Sequence, residues 1–168
     1  MISNLEYQII SDVLIARLPP EATGEIVIAT EPMIERDFST ISIYKEFGVF
    51  ARFPSLEAET ILSLLEKERQ PDTFKSLFTL PRMVTLLDED ETKRIFRECG
   101  GWTSFYEKFP KSAGRFFFSR VGLSPSRNQA ILHFGRQWHG RAGSGCIVFL
   151  EDTGKGFVEV GKMRTWMS

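Results

Sequence analysis

The chain has 168 residues, of which 42% are hydrophobic and 26% charged, and its formal net charge is −1. That length supports one domain, 1–168, with a real core, while the near-zero charge argues against a general nucleic-acid binder. Its apolar runs fall far short of the roughly 20 residues that cross a membrane, and no repeat or low-complexity tract appears.

Taken in chain order, "MISNLEYQIISDVLIARLPP" has no basic leader and carries Glu6 and Asp12 among its apolar residues. It reads as neither signal nor transit peptide, which predicts a cytoplasmic protein. Ser3 or Asn4 caps a helix whose stripe is Leu5, Ile9 and Val13 beside Ile10, Leu14 and Ile15, and Pro19 and Pro20 stop it. "EIVIAT" (25–30) suits a buried strand. Residues 31–54 show no firm phasing and read mostly as loop.

Ser55, followed by Glu57 and Glu59 and the pattern Leu56, Ile61, Leu64 and Leu65, reads as a capped amphipathic helix ending by Gln70, before Pro71. "FKSLFTL" and "RMVTLLD" read as extended segments on either side of Pro81. "DEDETKRIFREC" reads as a helix begun by Asp88 and ended by Gly100 and Gly101. "GWTSFYEKFP" offers a short aromatic helical turn, with Trp102, Phe105, Tyr106 and Phe109 at core spacing.

Four strands follow, over 114–122, 129–138, 145–151 and 157–167, separated by turn sequences. Alternation puts Ala130, Leu132 and Phe134 on one face and Ile131, His133 and Gln137 on the other. In the last strand Val158, Val160 and Trp166 are assigned one face with Lys162 and Arg164. One side of the sheet is expected to pack on the helices and the other to be partly wet. The fold class is α+β, with a helix-rich part over 1–110 packed on a C-terminal antiparallel meander over 114–167.

The string "FSRVGLSPSRNQAILHFGRQWHGRAGSGCIVFLE", with a terminal "MRTWMS", resembles the C-terminal signature of a family of uncharacterised bacterial proteins. The signature comprises a strand ending in Ser-Arg-Val-Gly, a strand with Gln-Ala, a Gly-rich hairpin and a final Trp-x-Ser. "IFRECGGWTSFYEKFP" and "EYQIISDVLIARL" are similar to that family's Trp-x-x-Phe-Tyr turn and opening helix. The resemblance covers most of the chain, least over 31–54, and brings no catalytic residues. Such proteins often carry a secretion leader, which this sequence lacks.

The net charge conceals a division. Residues 1–98 hold 11 Lys and Arg against 18 Asp and Glu, net −7, and residues 99–168 hold 10 against 4, net +6. Either acidic helices and basic strands satisfy each other, or the basic third offers a face to an anion or an acidic partner.

The candidate site is the hairpin 136–145. Gly140, Gly143 and Gly145 are expected at positive φ with open backbone N–H groups, beside the cationic Arg136, His139 and Arg141 and the contact surface of Trp138. Such a set suits a carboxylate or phosphate, although G-R-A-G-S-G joins two strands and is no phosphate-loop motif. Other chemistry has less support. His133, His139 and Cys146, with Glu151, make a poor zinc set, so no metal or cofactor is expected. Cys146 opens an apolar run and reads as a buried thiol; Cys99 sits at a helix end, and the pair forms no disulfide framework. The carboxylates at 88–91 read as a helix start, and Glu151 with Asp152 as a turn. Without a basic-aromatic sheet motif, Trp102, Trp138 and Trp166 do not argue for RNA.

The reading is a small cytoplasmic binding domain that engages an acidic protein segment or a small anion through the wet sheet face and the hairpin, more in keeping with a non-enzyme. One alternative is a small hydrolase-like enzyme with His133 or His139 as acid or base and an arginine clamp. The other is a homo-oligomeric subunit pairing through its final strand.

Overall fold

The structure is a computed structural model that describes residues 1–34, 38–70 and 72–168. Its elements are α1 (Asn4–Ile15), β1 (Ile26–Ala29), α2 (Ile41–Glu46), α3 (Val49–Arg52), α4 (Ala58–Glu68), β2 (Val84–Leu87), α5 (Glu89–Lys93), a π-helical turn (Arg94–Glu98), α6 (Trp102–Lys108), β3 (Arg115–Phe118), β4 (Gly122–Leu123), β5 (Gln129–His139), β6 (Ala142–Asp152) and β7 (Phe157–Met167). The fold is α+β, with helices in the N-terminal half and a mostly antiparallel sheet at the C-terminal end.

Among the described residues one sheet runs in the order β2-β1-β3-β5-β6-β7, with β4 paired to β5. The meander β5-β6-β7 is antiparallel, as the turn spacing predicts. The acidic half also contributes to it, because β1 pairs in parallel with both β2 and β3.

Local side-chain caps start two of the helices. Ser3 caps α1 in a reciprocal box, its hydroxyl accepting from the Glu6 N–H while Glu6 accepts from the Ser3 N–H. Asp88 caps α5. The expected cap at Ser55 is corrected: the helix begins later, and its capping acceptor comes from the sheet. The Gln129 side-chain oxygen accepts from the Glu57 N–H at 2.9 Å and from the Thr60 hydroxyl, and its amide donates to the Ser55 carbonyl at 2.7 Å. Ser55 instead donates its hydroxyl to Glu151. Pro71, expected to mark the end of α4, lies outside the described residues.

Residues 31–54 are a second correction. Residues 35–37 lie outside the described part, but α2 and α3 occupy much of the remainder. Helices of six and four residues are too short to show a period. Tertiary packing holds them, through buried Tyr44, Val49 and Phe53.

The sheet has helices on both faces, which corrects the half-wet expectation. On one face Ile9, Ile10, Val13 and Leu14 of α1 meet Phe116, Phe118, Leu132, Phe134, Val148 and Leu150. On the other, Ile61, Leu64 and Leu65 of α4 join Tyr44, Val49 and Phe53 against Ile131, Ile147 and Phe149, while Phe105 and Phe109 cover Val27 further along. Each fully buried side chain of this kind contributes about 1.5–3 kcal/mol. No helix among the described residues is long and apolar enough to cross a membrane.

Candidate basic hollow at the sheet end

Strand alternation divides the predicted site. Register pairs Phe134 with Cys146 and Arg136 with Ser144, and pairs His133 with Ile147, Gly135 with Gly145 and Gln137 with Gly143. Arg136, Trp138 and Cys146 therefore lie on the α1 face, and His133 lies on the α4 face. Gly140 and Arg141 form the exposed two-residue tip between paired His139 and Ala142.

The expected glycine cradle is corrected. None of Gly140, Gly143 and Gly145 has positive φ. Gly143 and Gly145 belong to β6, and the Gly143 N–H is taken by the Ser168 carbonyl at 3.2 Å. They are small because Trp166 lies on them: a Cβ at Gly143 would meet the indole at 2.9 Å, and one at Gly145 would fall inside it.

The phasing assigned to the last strand is corrected too. The β6-β7 register slips between Gly145 and Cys146 and again between Phe149 and Leu150. Each slip places an extra residue in β7. Trp166 is thereby turned onto the glycines of one face, while Lys162 and Arg164 line a hollow on the other.

That hollow, of about 680 Å³, exists because α1 stops short. Ile15 ends the helix, and the chain leaves through Pro19 and Pro20, so among the described residues no helix lies above the sheet beyond Phe134 on this face. Its walls are Ala16 and Arg17 from the end of α1, Phe134, Arg136 and Trp138 from β5, Ser144 and Cys146 from β6, Lys162 and Arg164 from β7, and Arg52 of α3.

Five cations thus converge on one concavity. Arg17 donates to the Val13 carbonyl at 2.9 Å, sits over the Phe134 ring and pairs with Glu159. The Arg136 Nε donates to the Ala113 carbonyl at 2.7 Å while its guanidinium stacks 4.8 Å from the Trp138 ring centre. Burial pushes its pKa down, with Tyr106 and Glu21 opposing the shift. Among the described residues no carboxylate forms an ion pair with Arg52, Arg136, Lys162 or Arg164.

The other candidates are dispersed. His133 is 1% exposed; its Nε2 lies 2.8 Å from the Tyr44 hydroxyl, and burial holds its pKa at about 3. It is a core residue that burial holds in its neutral form. His139 lines a separate, shallower notch with Trp102, Tyr106 and Glu107. The sheet separates His133 from Cys146, whose thiol burial pushes up, away from the thiolate a nucleophile needs. No cluster of three metal-ligating side chains occurs among the described residues. Glu91, bound by Arg94 and Lys108, has its pKa lowered to about 2 by those partners, in a structural role.

Sequence reading therefore found Arg136 and Trp138 but missed Arg17, Arg52, Lys162 and Arg164. The two β7 cations were legible as an alternating pair; Arg17 and Arg52 gave no signal, since only the fold brings them there. The residues that carry the family resemblance do structural work. Arg120 is buried against Glu6, the Ser119 hydroxyl accepts from the His133 N–H, and Gly122 admits α4, where a Cβ would meet the Leu64 Cβ at 2.7 Å. No protein family, curated protein or solved structure matches the chain.

Proposed function

We propose that the protein is a non-catalytic binding domain whose ligand is an anion, either a small one or the carboxylates of an acidic protein segment, held in the basic hollow. The observation that carries the reading is the convergence of Arg17, Arg52, Arg136, Lys162 and Arg164 on one cavity, with Glu159 their single ion-pair partner among the described residues. Like charges gathered in a concavity raise the local potential and concentrate counter-ions. Arg136, prefixed by Ala113 and Trp138, gives such a ligand a planar two-donor fork without further ordering cost. The free thiols of Cys99 and Cys146 fit a reducing, cytoplasmic setting.

The test is calorimetric titration with glutarate and with a short polyglutamate peptide, at low and high salt, on wild type and on Lys162→Ala/Arg164→Ala. Both side chains are exposed and lack ion-pair partners among the described residues, so the variant keeps its fold. The expected result is binding that weakens with salt and falls about tenfold or more in the variant. Equal binding by both forms, or none by wild type, overturns the reading.

A further inference from the structure

We infer that the hollow's ligand is an extended acidic peptide segment of a partner protein, which adds as a strand to the free edge of β7 and drops alternate carboxylates into the hollow. This rests on the anion-binding reading above and names its ligand. Two independent observations meet at the same place. The first is the edge itself: β7 runs 11 residues, hydrogen-bonds to β6 along one side and among the described residues has no strand along the other, and Val158 and Val160 are more than half exposed. Such a row of unpaired N–H and C=O groups is a template for strand addition.

The second is the charge beside it. The two register slips confine regular pairing geometry to the stretch from Gly161 to Arg164, and within it Lys162 and Arg164 both point into the hollow. Side chains of an added strand alternate in the same way, and those directly opposite lie about 5 Å away across the pair. Carboxylates at every second position of the peptide therefore face Lys162 and Arg164 in turn, with Arg136 beyond them. A basic, partly apolar strand would meet five cations there and be repelled. Glu159 at the far end is already taken by Arg17, so it does not oppose the ligand.

The probe is the capped peptide Thr-Glu-Thr-Glu-Thr-Glu, together with two forms N-methylated on all Thr or on all Glu residues, titrated at low salt with amide hydrogen exchange read along β7. Strand addition uses the N–H groups of alternate residues only. The expected result is that one methylated form loses about tenfold or more in affinity while the other binds like the parent, and that the parent slows exchange over 161–164. If both methylated forms bind as the parent does, with Lys162→Ala/Arg164→Ala weakening all three, strand addition is overturned and the anion site stands. Binding of free glutarate but not of the peptide has the same meaning. If neither glutarate nor the peptide binds, both readings fall together.

Discussion

The indole of Trp166 lies flat in the space that a side chain at Gly145 would need, so a residue from the last strand sets the residue type in its neighbour. Gly145→Ala is expected to destabilise the protein by about 1–3 kcal/mol, because the indole must leave its seat over β6. Trp166→Ala should cost a comparable amount through lost burial, and the double variant should cost less than the sum. Urea denaturation of the four forms measures the coupling; strict additivity would separate the two residues.

The Gln129 cap predicts an unusual ranking of substitutions at the start of α4. Gln129→Leu leaves the Glu57 N–H and the Ser55 carbonyl without their buried partner, at about 1–3 kcal/mol. Ser55→Ala removes only an exposed hydrogen bond to Glu151 and should cost well under 1 kcal/mol. If Ser55→Ala proves the more damaging, the helix is capped locally after all.

Arg120 and Glu6 are 2% and 1% exposed and form a two-point ion pair, with the Arg120 Nε and an Nη donating to the two Glu6 carboxylate oxygens at 3.0 and 3.2 Å. Arg120 also reaches Asp72 at 2.7 Å, and Lys67 approaches Glu6. Glu6→Gln leaves a buried guanidinium short of charge, at an expected cost of about 3 kcal/mol, whereas Glu6→Met/Arg120→Met should recover much of the loss. Thermal melts of the single and double variants check this.

His133 makes stability depend on acid. Its pKa falls from 6.5 to about 3 on folding, so the unfolded chain binds the extra proton and stability declines as pH drops through that window. Between pH 7.5 and 5 the expected loss from this residue is about 2 kcal/mol. His133→Gln, which can still meet the Tyr44 hydroxyl, should flatten that part of the profile. A parallel slope in wild type and variant would assign the acid sensitivity elsewhere.

These residues also show what sequence can and cannot reveal. The last three meander strands were readable almost to their ends, because alternation and turn chemistry are local, whereas the run 114–122, read as one strand, is split into β3 and β4. Asp88 was readable as a cap for the same reason, and the cap of α1 to within Ser3 or Asn4. Gln129 was not, since its role is set by a helix far away in sequence. The slips beside Cys146 and Leu150 left no mark in composition, yet they decide that Trp166 and Arg164 face opposite ways. The hollow was half legible: the basic third of the chain pointed to it, but Arg17 comes from the acidic half.

The parallel pairing of β1 with β3 carries a consequence for the order of assembly. β5, β6 and β7 close through short turns, so their contacts form at small cost in loop entropy. β1 has to find β3 across the whole intervening chain, and α1 and α4 find their seats only on a sheet that already exists. During synthesis the helical half emerges before its template. Those helices then wait with their apolar stripes uncovered until the last strand clears the ribosome, which makes the nascent N-terminal half the stage at which this protein is most open to chaperone capture and aggregation.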